Sequence, residues 1–214
     1  MKPHELSPPA DQAHPARRQV LSRLAALTAL GSTGLLAACT EMPAFKSIDI
    51  TGADYAQGFS LVDYNGQARS LKDFSGRVVV VFFGFTQCPD VCPTALSELA
   101  EIKRSLGPKG DKLQGILITL DPERDTPEVL KAYMSNFDPS FLALRPSPEE
   151  LPALAKAYKT FYKKVEGKTP SSYTMDHSAA SYVYDTQGRV RLYTRPGTGA
   201  AALAEDIKLL LDKA

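Results

Sequence analysis

"RVVVVFFGFTQCPDVCPTALSEL", Arg77 to Leu99, sets a run of β-branched and aromatic residues ahead of a loop with two cysteines, and that loop ahead of a helical pattern. Val78 to Phe83 is apolar at every position and not merely at alternate ones, the pattern of a central strand covered on both faces. Beyond the cysteines, Ala95, Leu96, Leu99, Ile102 and Leu106 recur at helical spacing until Gly107-Pro108 ends the run, and Pro93 suits the first helical position. The order strand, loop, helix puts Cys88 and Cys92 beyond the C-terminal end of a sheet strand, where α/β folds gather their ligands.

Outward from this stretch the same alternation continues. "LQGILITL" (Leu113 to Leu120) reads as a second buried strand, and "DPERDTPEVL" follows, with Thr126 as cap and Pro127 opening a helix to about Phe137. "FLALR" predicts a short strand, Pro148 to about Tyr162 a helix, and "KKVEGKTPSSYTMD" (Lys163 to Asp176) a long polar loop. "SAASYVYD" and "RVRLYT" form an antiparallel hairpin around Thr186 to Gly188, and a last helix carries Leu203, Ile207, Leu210 and Leu211 inward. On the N-terminal side, "GFSLVDYNGQARSLKDF" folds back at Asn65-Gly66, a dipeptide that accepts the positive φ of a tight turn. The βαβ units with a ββα end predict an α/β protein, a mixed sheet flanked by helices. The order matches a thioredoxin-like fold with an N-terminal β-hairpin extension.

The first residues have a different character. Arg17 and Arg18 precede an apolar run from Leu24 to Ala38 that ends at Cys39. The run is shorter than the ~20 apolar residues of a spanning helix and is broken by Gly31, Ser32, Thr33 and Gly34. Residues 1–38 therefore read as an export signal. "LAAC" resembles the bacterial lipoprotein box, in which the cysteine, here Cys39, is lipidated; an ordinary signal peptide with an incidental cysteine is the alternative. "RRQVL" resembles a twin-arginine signal. Residues 39–55, irregular apart from a short strand at "SIDI", are expected to tether residues 56–214, the thioredoxin-like domain, to a membrane facing the periplasm, the inner membrane by preference.

Composition narrows the function. Twenty-five Lys and Arg against 24 Asp and Glu give a net charge of +1, with no basic cluster in the domain, so nucleic acid is not an expected partner. Of three cysteines and three histidines, Cys39, His4 and His14 fall in the leader or at its end, leaving Cys88, Cys92 and His177 for chemistry. A structural disulfide between Cys88 and Cys92 would close too small a loop to restrict the unfolded chain much. Cys92 lies beside a helix N-terminus, which favours thiolate over thiol, and a thiolate is both nucleophile and metal ligand. Thioredoxin-type reductants use C-x-x-C after a tryptophan; this chain has one more residue between its cysteines and no tryptophan. Two sulfurs free to point at one external atom select Cu(I) or zinc over hard ions, and the sole remaining imidazole, His177, is the candidate third ligand. Asp121 and Asp125 are candidates for a fourth ligand or for groups supporting the ligands, with turn formation as the competing use. Asp176 and Met175 flank His177, but neighbouring side chains in extended chain point apart.

With these residues in place, "GFTQCPDVCPTALSEL", "ITLDPERDTPEVLKAY" and "YTMDHSAASYVYD", preceded by "FSLVDYNGQARSLKDFSGRVVVVFFGF", are similar in sequence and order to the SCO/SenC family of membrane-tethered copper proteins, from about Asp49 to about Thr194. The resemblance implies that Cys88, Cys92 and His177 bind copper as Cu(I) or Cu(II). It also implies a copper chaperone that assists assembly of the binuclear copper centre, its partner the copper-accepting subunit of cytochrome c oxidase or another copper or thiol protein. In that frame the reduced pair holds Cu(I), and an oxidised, disulfide-linked pair releases it. A thiol-disulfide oxidoreductase that keeps a partner's cysteines reduced is the alternative; a peroxiredoxin-like use of "VCPT" is disfavoured because Pro89 stands where the activating threonine belongs.

Overall fold

The computed structural model describes residues 44–169 and 172–212. The expected export signal and Cys39 lie outside the described residues.

Ten strands and four α-helices follow in the order β1 (Ile48–Asp49), β2 (Ser60–Asp63), β3 (Ala68–Ser70), β4 (Val78–Gly84), α1 (Val91–Ser105), β5 (Leu113–Thr119), α2 (Pro127–Met134), β6 (Leu142–Arg145), α3 (Leu151–Ala157), β7 (Tyr162–Val165), β8 (Thr174–His177), β9 (Ser181–Tyr184), β10 (Val190–Thr194) and α4 (Ala200–Asp212). Eight strands form one sheet in the order β1-β10-β9-β4-β5-β6-β2-β3, while β7 and β8 form a separate two-stranded sheet. The pairs β4–β5 and β5–β6 are parallel and every other pair is antiparallel, the mixed, thioredoxin-like arrangement expected.

All seven residues of β4 and all seven of β5 are buried, because both faces of the sheet are covered. The alternation of a strand then sorts the side chains into two cores. Val78, Val80 and Phe82 join Leu96, Leu99, Leu117, Phe141, Ile207 and the two cysteines on one face. Val79, Val81 and Phe83 join Ile116, Ile118, Tyr158, Tyr182 and Tyr184 on the other. The site therefore grows out of one core, and the tyrosine-rich core opposite backs the sheet.

Several boundaries differ from expectation for local reasons. Helix α1 begins at Val91, so Pro93 occupies the third position instead of the first; its missing N–H falls among those no helix satisfies internally. Helix α3 ends at Ala157, well short of Tyr162, since Lys159 takes a positive φ of 51° and turns the chain toward β7. Helix α2 stops at Met134, after which the amides of Asn136 and Phe137 make turn bonds to Tyr133 and Met134. The polar stretch after Tyr162 is only in part a loop: β7 and β8 pair with Tyr162 opposite His177 and Val165 opposite Thr174. The region between Cys39 and Tyr55 is pinned at its described end, where β1 adds to β10 and the amides of Lys46 and Ser47 each donate at 2.8 Å to the buried carboxylate of Asp206 on α4.

Candidate metal centre

The first two side chains are delivered by the β4–α1 connection. Strand β4 ends at Gly84, where a Cβ would stand 2.9 Å from the Cys92 sulfur and 2.7 Å from the Phe82 ring. Only glycine lets the sulfur approach the strand this closely. The chain then turns through a bond from the Cys88 amide to the Phe85 carbonyl, and the Cys92 amide, in the first turn of α1, donates to Cys88 Sγ at 3.4 Å. The two sulfurs are not bonded to each other; Cys88 is 7% exposed and Cys92 fully buried.

His177, at the end of β8, arrives from the other side. Its ring stands edge-on to Phe82 and Phe85, with centroids 6.4 and 5.8 Å away. Nδ1 lies 3.0 Å from the Ser178 carbonyl oxygen, which can only accept, so Nδ1 carries the proton. Nε2 is left with its lone pair, 3.8 Å from Cys92 Sγ. The two sulfurs and the imidazole offer ligand atoms all within 4.8 Å of one another. Two soft sulfurs and one imidazole with its free nitrogen aimed inward are a donor set suited to Cu(I) or zinc.

The electrostatics correct one expectation. Burial, and then the hydrogen bond with Cys88, push the Cys92 thiol well above its ordinary value; a position in the first turn of a helix does not make it a ready thiolate. Removal from water outweighs the helix dipole here. A bound cation would supply the charge that the pocket itself does not.

Asp121 and Asp125 are both buried, and neither hydrogen-bonds Cys88, Cys92 or His177. Asp125 accepts from the amide and hydroxyl of Thr86 and from the Thr119 hydroxyl, tying the cysteine loop to the end of β5. Burial pushes its carboxyl up, against those hydrogen bonds. Asp121 accepts from Arg124 and from the Tyr173 hydroxyl. Thr126 caps α2 as expected, accepting from the Val129 amide. Met175 is buried in the core on the cysteine side, and Asp176 is exposed on the opposite face of its strand. Sequence reasoning missed Arg124, Tyr173 and Tyr133. Arg124 links Gln87 of the cysteine loop to Tyr173, which itself bonds Asp121. The third has a buried hydroxyl, and burial pushes its phenol up. The only signal for them was position, inside the blocks that also hold Asp121, His177 and α2.

The SCO1/SenC family model matches residues 49–212, which takes in every element from β1 to α4 but Ile48. The chain belongs to the SCO1/SenC family. Among relatives of this SCO1/SenC protein, the SCO2-like protein of Rickettsia felis is 36% identical over 132 residues, 61% of this chain and 64% of the relative. The chain thus spans somewhat less than two thirds of that relative's length. ScoI of Bradyrhizobium japonicum, solved with copper bound, is 41% identical with a TM-score of 0.64, covering 71% of this chain and 96% of that one. Yeast Sco1, also solved with copper bound, is 33% identical with a TM-score of 0.62, covering 71% and 87%. Among the described residues of the SCO1/SenC chain, no helix is long and apolar enough to cross a membrane.

Proposed function

We propose that this protein is a copper chaperone that carries its cargo on Cys88, Cys92 and His177. The observation that carries the reading is the convergence of three donor atoms within 4.8 Å, with the His177 lone pair directed at the sulfurs by the Ser178 carbonyl. Copper-bound relatives of the same fold support it. The recipient we assign is the copper-accepting subunit of cytochrome c oxidase, and the working place is the periplasmic face of the inner membrane, held there by lipid on Cys39. Support for the anchor is the "LAAC" box after a leader too short to span.

Anaerobic titration of the reduced protein with Cu(I) and Cu(II), beside Cys88→Ala, Cys92→Ala and His177→Ala, tests the site. Each variant is expected to lose at least about tenfold in affinity for one or both ions, since removing even a group that only hydrogen-bonds a metal ligand costs about that much. Unchanged affinity for both ions after His177→Ala rejects the three-ligand site. The pair of free cysteines favours one second reading, a thiol-disulfide oxidoreductase. In that case His177→Ala keeps full reductase activity toward a disulfide-bonded partner, and copper removal changes nothing.

A further inference from the structure

His177 sits on a hairpin that shares no strand pairing with the main sheet. Sheet hydrogen bonds therefore do not set the distance from imidazole to sulfur; Met175 packs in the core, the imidazole rests against Phe82 and Phe85, and three residues join β8 to β9. The polar contacts that tie the hairpin to the cysteine loop run through Arg124, in the turn between β5 and α2. Its Nη1 donates to the Tyr173 carbonyl at 2.8 Å and to Gln87 Oε1 at 2.9 Å, and its Nε donates to Asp121. Gln87 immediately precedes Cys88, and Tyr173 immediately precedes β8. A single guanidinium thus spans the segment carrying the sulfurs and the segment carrying the imidazole. The guanidinium lies 3.6 Å from the Tyr173 ring centroid, with Lys164 of β7 at 3.9 Å, and the Tyr173 hydroxyl donates to the same Asp121 at 2.8 Å. Arg124 and Asp121 are 16% and 4% exposed at their side chains, so these contacts act with little screening by water.

We propose that Arg124, acting with Tyr173, is a positioning residue that latches the His177 hairpin against the cysteine loop and so sets the closed geometry of the metal site. The inference rests on the copper reading above. Arg124 touches none of the three ligands and works through the hairpin; releasing the latch withdraws the imidazole and leaves the two sulfurs in place. A planar fork suits this, with Nη1 on the carbonyl and the amide oxygen and Nε on the carboxylate at once.

A double-mutant cycle on copper affinity tests it, using Arg124→Ala, His177→Ala and the pair of substitutions together. Residues linked through one hydrogen-bond network couple by amounts that correspond to about tenfold, so Arg124→Ala is expected to weaken copper binding roughly tenfold in the parent chain and to leave it unchanged within about twofold when His177 is already alanine. Arg124→Lys, which keeps the charge beside Asp121 but lacks the fork, guards against a folding failure; it is expected to show the same dependence on His177 and to weaken the nitrogen hyperfine signal of the imidazole in the Cu(II) paramagnetic resonance spectrum. Equal losses in both backgrounds mean a general structural role and overturn the latch. No loss in either variant overturns it too. If His177→Ala itself leaves affinity unaltered, the three-ligand site fails and the latch falls with it, whereas a loss in His177→Ala without background dependence sinks the latch alone.

Discussion

Gly84 shows how narrowly one residue controls the centre. A methyl group added there meets the Cys92 sulfur, the Phe82 ring and a Leu117 methyl at 2.9, 2.7 and 3.2 Å. All three neighbours are buried in the same core, so none can step aside into solvent. Gly84→Ala is expected to cost about 1–3 kcal/mol, the usual range for overpacking, measured by urea denaturation. It is also expected to weaken copper binding through the displaced sulfur, which the same Cu(I) titration reads out. At this scale elimination and motif point to the three candidate ligand residues, but helix position alone misjudges the chemistry of one of them. Proximity to a helix end is visible in a pattern of residues; complete burial of Cys92 is a property of what packs over it, and it reverses the sign of the effect.

Two hairpins of the main sheet share a device. Asp63 and Asp185 each precede a glycine by three positions, and each Oδ1 accepts from two backbone amides of its turn, with Gly66 and Gly188 at positive φ. Each Oδ2 pairs with arginine, Arg69 in one turn and Arg189 and Arg191 in the other. Burial raises both carboxyls, yet these hydrogen bonds and ion pairs outweigh it and hold both below the ordinary 3.8. A depressed folded value means that the unfolded chain binds protons first as pH falls. The stabilisation is thus complete above the ordinary carboxylate range and drains away as acid carries the protein through the folded values. The urea midpoint is expected to be flat from neutrality to about pH 5 and to fall below about pH 4, more shallowly in Asp185→Asn. The turns were legible as Asn-Gly and Gln-Gly punctuation. The β7–β8 hairpin was not, because three of the four residues of β7 are exposed and no alternation marks them as strand. Its partner strand, which carries His177, consequently reads as loop.

At the scale of the whole molecule, the N-terminal and C-terminal ends of the domain are joined through Asp206. Its fully buried carboxylate receives two amides from residues 159 and 160 positions earlier in the chain and fixes the entry to β1. Asp206→Ala leaves both amides without their acceptor; a loss of about 2–4 kcal/mol in urea stability is expected, with faster amide exchange in β1 and β10 and unchanged exchange in β4 and β5. The central strands, the helices that cover them and the identity of three donor residues came from the sequence by itself, since hydrophobic periodicity and residue type are local properties that survive in a one-dimensional string. What only the tertiary structure decided is how residues 85 positions apart meet. The fold supplies the glycine gap under Cys92, the carbonyl that aims the imidazole, and the guanidinium that spans both segments. Each is a contact between distant stretches of chain, whose geometry arises from packing.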